Sequence, residues 1–172
     1  MVQTYTHVVV GVALGTTLFH DNYPAQVACI ISSVAPDVPA ASQFLFDLLH
    51  GRKPLEHQGN KLMLLQEISH SLPLWILLLL LTWLLNFSWQ VIGYALAVGG
   101  IGHILIDVFT HGKGSKEKRK FTGLTFIWPL QFDLRTFGVW EYRIYPGILR
   151  PKLPEVILIL VCFVIIVVAF VL

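Results

Sequence analysis

Charge is scarce in this chain. Asp, Glu, Lys and Arg make up 13% of its 172 residues, against roughly 25% in soluble globular domains. No Lys or Arg precedes Arg52, which argues against a secretory signal peptide, because such a peptide opens with a basic region. The low charge excludes an ordinary soluble domain, and a net charge of +2 does not indicate a nucleic-acid partner.

Cysteine is equally scarce. The chain has two cysteines, Cys29 and Cys162, and both stand inside apolar stretches without a CxxC spacing. This excludes a disulfide framework and a zinc knuckle, which need paired cysteines. We expect both side chains to be inert packing residues.

Apolar residues are abundant, at 55% of the chain with a mean hydropathy of +0.70. They predict an all-α integral membrane bundle in one domain, residues 1–172, with about five hydrophobic segments at residues 6–19, 25–35, 71–86, 91–109 and 153–172. The last segment has about the 20 residues that cross a bilayer, whereas the first two are shorter and are predicted to be short or tilted helices. Gly11 and Gly15 form a small-xxx-small pair, which predicts close helix packing.

Basic residues predict the orientation. They occur in the connections at residues 36–69 and 110–152, and are missing from the connections around Asp21 and Phe87. Because short basic loops stay in the cytoplasm, we expect an inner-membrane protein with two cytoplasmic loops, its N-terminus inside and its C-terminus outside. The basic run at residues 113–120 is expected to contact anionic lipid headgroups.

Three ionisable residues recur at every fourth position near the end of the fourth segment: His103, Asp107 and His111. On a helix they lie on one face. Ionisable groups within a membrane span are costly and usually mark a functional site, so this stripe predicts metal ligands. The alternative is a buried His–Asp hydrogen bond that holds helices together.

A second pair, Glu67 and His70, precedes the third segment and is spaced by one helical turn. Glu67 is a candidate general base and His70 a candidate ligand. The alternative is that Ser69 or Ser71 caps a helix while Glu67 complements its dipole.

Two further candidates follow from the predicted topology. His7 opens the first segment and Asp37 closes the second, and both fall at the cytoplasmic end. The five-segment arrangement brings six candidate metal ligands to that end: His7, Asp37, His70, His103, Asp107 and His111. His20 falls at the opposite end, and His50 and His57 fall in a basic loop, where we expect them to be solvated.

Imidazole and carboxylate ligands without a thiolate suit a divalent metal, with zinc favoured and manganese or iron as alternatives, as one or two ions. Such a site supports hydrolysis at neutral pH. Glu67 and Asp37 are the candidate catalytic bases.

At these residues the chain resembles the YdjM-type family of inner-membrane, metal-dependent hydrolases. The resemblance rests on Thr6-His7, Pro36-Asp37, His70-Ser71 and His103-x-x-x-Asp107, and extends through Trp128-Pro129 over roughly residues 1–135. Some members are linked to binding the repressor LexA, and the family is similar, at a distance, to zinc-dependent phospholipase C. The resemblance therefore implies a phosphoester substrate and a regulatory partner.

The leading hypothesis is a metal-dependent hydrolase that acts at the cytoplasmic face on a phospholipid or another phosphoester. One alternative is a non-enzymatic scaffold that binds a soluble regulatory protein at its basic loops. Another is a metal transporter, which ligands at one face disfavour. A di-iron membrane oxidase is the third, and it is poorly supported because the chain has no His-His pair.

Overall fold

The computed structural model describes residues 4–51, 60–85, 88–110 and 153–171, and these are helical without a strand. The all-α prediction is thereby confirmed for these residues. A 3₁₀ turn, η1 (Ala35–Asp37), joins the second and third helices. The helices are α1 (Thr4–Leu18), α2 (Tyr23–Val34), α3 (Val38–Leu49), α4 (Asn60–Ser69), α5 (Leu72–Leu85), α6 (Gln90–Thr110) and α7 (Leu153–Val171).

Two helical stretches among the described residues are long and apolar enough to cross a membrane. They are Tyr23–Leu49, which joins α2, η1 and α3, and Gln90–Val108 within α6. Three shorter apolar helices accompany them: Thr4–Leu18, Leu72–Leu85 and Glu155–Ala169. The five-segment membrane bundle is therefore supported only in part, and crossing by α1, α5 and α7 stays a prediction.

The connection predicted at residues 36–69 contains two further helices, α3 and α4. Pro36 and Pro39 lie in the first turns of η1 and α3, where a missing N–H costs nothing because those N–H groups lack a helical acceptor. The prolines therefore do not end the helical run. Most of the second predicted loop, residues 111–152, lies outside the described residues.

Helix α6 packs against α1, α2 and α5, and α1 also packs against α2 and α7. Small residues permit these close approaches: a Cβ added at Gly99 would collide with the Cys29 carbonyl, and one added at Gly15 would press on the Gln26 backbone. A Cβ at Gly11 would collide with Ser33, so the packing prediction for both glycines of α1 is confirmed. Cys29 and Cys162 are free and buried, as expected of packing residues.

The antiparallel order of the helices defines one functional end of the bundle. α1 and α5 begin at this end, and α2 and α6 finish there. The short connections after α1 and after α5 lie at the opposite end, because each joins two antiparallel neighbours. Residues near the first turn of α1, in η1, before α5 and in the last turns of α6 are therefore brought together.

Candidate metal centre

Five of the six predicted ligands converge at the functional end. His7, His70, His103 and Asp107 are fully buried, and Asp37 is 2% exposed. They come from α1, η1, the α4–α5 junction and α6. The sequence separations between these elements are long, so the cluster exists only in the folded chain.

Three ligand atoms form a nearly equilateral triangle. His103 Nε2 lies 3.2 Å from Asp107 Oδ2 and 3.4 Å from His70 Nε2, and the third side, from His70 Nε2 to Asp107 Oδ2, is 3.6 Å. Ligands about 2.05 Å from a tetrahedral zinc ion lie about 3.3 Å apart, from the geometry of the tetrahedron. The triangle therefore fits three ligands of one such ion.

Backbone carbonyls orient both imidazoles of the triangle. His103 Nδ1 lies 2.8 Å from the Ser33 carbonyl oxygen, and His70 Nδ1 lies 2.9 Å from that of Gln66. A carbonyl oxygen only accepts, so each Nδ1 carries the proton and donates it. In the neutral tautomer each Nε2 then presents a lone pair toward the other, an arrangement that a metal ion or a proton between them would stabilise. Metal-bound histidines use this same second hydrogen bond.

Asp37 presents a carboxylate to the open side of the triangle. Its Oδ1 lies 3.7 Å from His70 Nε2 and 3.8 Å from His103 Nε2, and within the described residues this atom has no hydrogen-bond partner. The other oxygen, Oδ2, accepts a hydrogen bond of 3.0 Å from the Thr4 hydroxyl. Thr4 therefore fixes the carboxylate so that Oδ1 faces the centre.

His7 stacks on His103 with ring centroids 3.8 Å apart and planes inclined by 20°. Its Nε2 lies 3.4 Å from Asp107 Oδ1, and neither ring nitrogen has a hydrogen-bond partner within the described part of the chain. The His7 carbonyl accepts from the Ser33 hydroxyl at 3.0 Å, which ties this turn of α1 to α2.

Two sets of three residues have ligand atoms close enough to hold an ion. One is His70, His103 and Asp107, and the other is His7, Asp37 and His103. His103 belongs to both, and its Nδ1 is engaged by Ser33, so only Nε2 remains and it can bind one metal. Among the described residues, the geometry thus supports one ion better than two.

Among the described residues, one predicted site residue does not join the cluster. Glu67 lies on α4 one turn before His70, half-buried, and belongs to neither set of candidate ligands. His111 lies outside the described residues. His50 is exposed, in agreement with the prediction that it is solvated, and His57 lies outside the described residues. His20 is exposed beside Asp21 in the connection after α1, at the end opposite the cluster, as predicted.

Sequence reasoning missed the side chains and carbonyls that hold the ligands: Thr4, Ser33 and Gln66. Ser33 makes two of these contacts: its hydroxyl donates to the His7 carbonyl of α1, and its carbonyl accepts from His103 on α6. The polar pair Ser32-Ser33 within an apolar stretch was a usable signal for Ser33. The contact of the Gln66 carbonyl has no signal in the sequence, because every residue carries a backbone carbonyl.

The fold and the cluster define a helical membrane protein with a buried His/Asp centre able to hold a metal ion. The chain belongs to the YdjM inner membrane protein family, whose model matches residues 1–172. This confirms the resemblance seen in the motifs and extends it to the whole chain. No curated protein and no solved structure matches the chain.

Proposed function

We propose that the protein is a metal-dependent hydrolase that acts at the cytoplasmic face of the inner membrane on a phospholipid or another phosphoester. The observation that carries the proposal is the triangle of His70, His103 and Asp107, with ligand atoms 3.2–3.6 Å apart. Both Nε2 atoms face inward because carbonyls hold both Nδ1 atoms.

These three residues would hold the ion, and His nitrogen with carboxylate oxygen at tetrahedral spacing favours zinc over manganese or iron. When bound, the metal would supply a Lewis acid to a phosphoryl oxygen. The two buried carboxylates, Asp37 and Asp107, also favour a cation, because uncompensated buried charge is strongly destabilising.

Asp37 is the better candidate for the general base. Its Oδ1 borders the triangle, and Thr4 holds its second oxygen in place, so Oδ1 is positioned to take a proton from water. Glu67 lies outside the set of converging residues, and a role for it in proton transfer has less support. His7 Nε2, beside Asp107 Oδ1, is placed to return a proton to a leaving group.

The cytoplasmic location rests on charge. In the sequence, Arg52 and Lys53 follow α3, and the basic run at residues 113–120 follows α6. α3 begins and α6 ends at the functional end of the bundle, and short basic connections are retained inside. A regulatory protein that binds these basic segments remains part of the proposal.

The decisive experiment is metal content by plasma mass spectrometry on detergent-purified protein. We expect about one divalent ion per chain, and loss of the ion in His103→Ala and in Asp107→Asn, together with loss of metal-dependent phosphoester hydrolysis. The matched controls are His20→Ala and Asp21→Asn, which remove an exposed His–Asp pair at the opposite end of the bundle.

The controls should keep both the metal and the activity. If the unmodified protein binds no zinc, manganese or iron even when each is supplied, the cluster is a hydrogen-bonded helix staple. The scaffold function would then take first place. Metal binding without hydrolysis would favour transport instead.

A further inference from the structure

Helix α3 is amphipathic in the opposite sense to a helix of a soluble protein. Its two fully or nearly buried residues, Asp47 and Gln43, are polar and are joined by a hydrogen bond of 2.8 Å. In its second half the exposed residues are large and apolar: Phe44, Leu45, Phe46, Leu48 and Leu49, which are 40–74% exposed. A helix that turns polar groups inward and hydrocarbon outward is stable in lipid and unfavourable in water.

The apolar surface continues onto α4. Leu64 and Leu65 are 47% and 53% exposed, and α3 packs against α4. We call these seven side chains of α3 and α4 the α3–α4 surface. Such a contiguous apolar surface marks an interaction site.

Continuity with a membrane helix identifies what covers this surface. The apolar stretch Tyr23–Leu49 runs from α2 through η1 into α3, and its only charged residues, Asp37 and Asp47, are both buried. The stretch therefore presents no charge to its surroundings from one end to the other. Lipid, rather than a soluble protein, is the occupant that such a surface fits.

The depth of the metal centre agrees with lipid at this position. Tyr23 and Trp89 are 75% and 69% exposed at the end opposite the centre, as expected of aromatic residues at a membrane interface. At about 1.5 Å per helical residue, Asp37 on one helix and His103 on another each lie about 20 Å from this aromatic end. About 30 Å of hydrocarbon would leave the centre roughly 10 Å below the opposite boundary.

The α3–α4 surface also borders the ligands. α3 begins directly after Asp37, and α4 ends directly before His70. The Ser69 hydroxyl donates to the Pro36 carbonyl at 3.2 Å, which joins the two ends beside the centre. A lipid that lies along this surface is therefore next to two of the candidate metal ligands.

We propose that bilayer lipid covers the α3–α4 surface and that a membrane phospholipid reaches the metal centre along it, directly from the bilayer. The second half of this proposal rests on the proposed hydrolase function, whereas the first half does not. The two halves are tested separately so that failure of one is distinguishable from failure of the other.

The first test measures the environment of α3 without reference to activity. A nitroxide spin label is placed at Leu45→Cys in protein with Cys29→Ala and Cys162→Ala, reconstituted in phospholipid nanodiscs. Collision with oxygen, which concentrates in lipid, is compared with collision with a water-soluble nickel chelate. The control label is at Asp21→Cys, on the exposed connection between α1 and α2.

We expect the label at Leu45→Cys to collide more often with oxygen, and the label at Asp21→Cys to collide more often with the nickel chelate. More frequent collision with the nickel chelate at both positions would place α3 in water. That result would overturn the proposal and indicate a protein partner for the surface.

The second test compares two substrates in the Leu45→Gln, Leu48→Gln double variant. We expect hydrolysis of a long-chain phospholipid in nanodiscs to fall about tenfold while hydrolysis of a soluble short-chain phosphoester is unchanged. The control is Leu160→Gln, at an exposed leucine of α7 outside the α3–α4 surface, which should affect neither substrate.

An equal loss on both substrates, or no loss on either, would overturn the substrate route. If the unmodified protein hydrolyses neither substrate, the hydrolase function and the substrate route fail together. The spin-label result still decides whether lipid covers the surface.

Discussion

The Thr4 hydroxyl holds one oxygen of Asp37 and leaves the other facing the metal centre. With Asp37 as a fourth ligand, removal of this hydrogen bond in Thr4→Val should weaken metal binding about 10- to 100-fold, as is usual for residues that orient a metal ligand; with Asp37 as the base alone, metal binding should be unchanged. Equilibrium dialysis against zinc measures the change. The matched control is Thr17→Val, because the Thr17 hydroxyl donates to the Ala13 carbonyl of its own helix, away from the metal centre.

Thr17→Val should leave zinc affinity unchanged. If Thr4→Val also leaves it unchanged, then Asp37 does not contribute to the affinity and its proposed role is limited to proton transfer. The two outcomes separate Asp37 as a ligand from Asp37 as a base.

Sequence reasoning at this scale found residues whose chemistry is unusual in a membrane helix. His103 and Asp107 stand out because ionisable groups are costly in hydrocarbon. His7 and Asp37 became candidate ligands only because the predicted topology brings them to the same end of the bundle. The geometry brings all four together with His70. Glu67 was a weaker prediction because one-turn spacing to His70 does not determine which way the side chain faces.

The contact between α2 and α6 determines whether Ser33 can reach His103. Gly99 permits this contact, because a Cβ there would collide with the Cys29 carbonyl, which is rigid backbone. Gly99→Ala should therefore destabilise the protein by about 1–3 kcal/mol, as overpacking does. A thermal unfolding series followed by circular dichroism in detergent measures this effect.

Gly102→Ala is the matched control, on the same helix. Its added methyl would meet only the end of the flexible Leu14 side chain, which can move. An equal loss of stability in both variants would indicate that glycine to alanine changes in α6 act through something other than the α2–α6 contact.

Helix α7 is joined to α1 beside the centre. The Thr6 hydroxyl donates to Glu155 Oε1 at 2.6 Å, and both residues are fully buried. Glu155→Ala leaves the Thr6 hydroxyl without this acceptor and should cost about 1–3 kcal/mol. Unfolding by sodium dodecyl sulfate titration measures the loss.

Glu155→Gln provides the test of mechanism, because its side-chain carbonyl oxygen can still accept from Thr6. We expect this variant to keep most of the stability that Glu155→Ala loses. A loss as large in Glu155→Gln would show that the negative charge, and not the hydrogen bond to Thr6, is what stabilises this site.

At the scale of helices, long apolar runs were predictable and the α3–α4 pair was not. α6 ends at Thr110, one residue after the end of the apolar segment predicted at residues 91–109. Residues 36–69 were predicted as a loop because they contain prolines and the first basic residues of the chain. Pro36 and Pro39 fall at helix starts, where proline is tolerated, and this placement depends on the 3₁₀ turn η1.

The two ends of the molecule carry different kinds of side chain. Exposed aromatic residues such as Tyr23 and Trp89 occupy one end, and the buried His/Asp cluster lies toward the other. In the sequence, the basic segments follow α3 and α6, the helices that begin and end beside the cluster. The difference between the two ends was predictable from the sequence, because the positions of Lys and Arg can be read without knowing how the helices pack. The depth of the centre was not predictable, because it depends on the lengths of the folded helices.

This polarity predicts which surface faces the cytoplasm, and cysteine labelling in right-side-out membrane vesicles tests it. Asp21→Cys, at the aromatic end, should react with a membrane-impermeant maleimide from outside, whereas Gly51→Cys, directly after α3, should react only after the vesicles are opened. Cys29→Ala and Cys162→Ala remove background labelling. The reverse pattern would place the metal centre at the outer face, because both positions are fixed relative to α1, α2 and α3. The hydrolase would then act on lipid of the outer leaflet, and regulation by a cytoplasmic protein would be excluded.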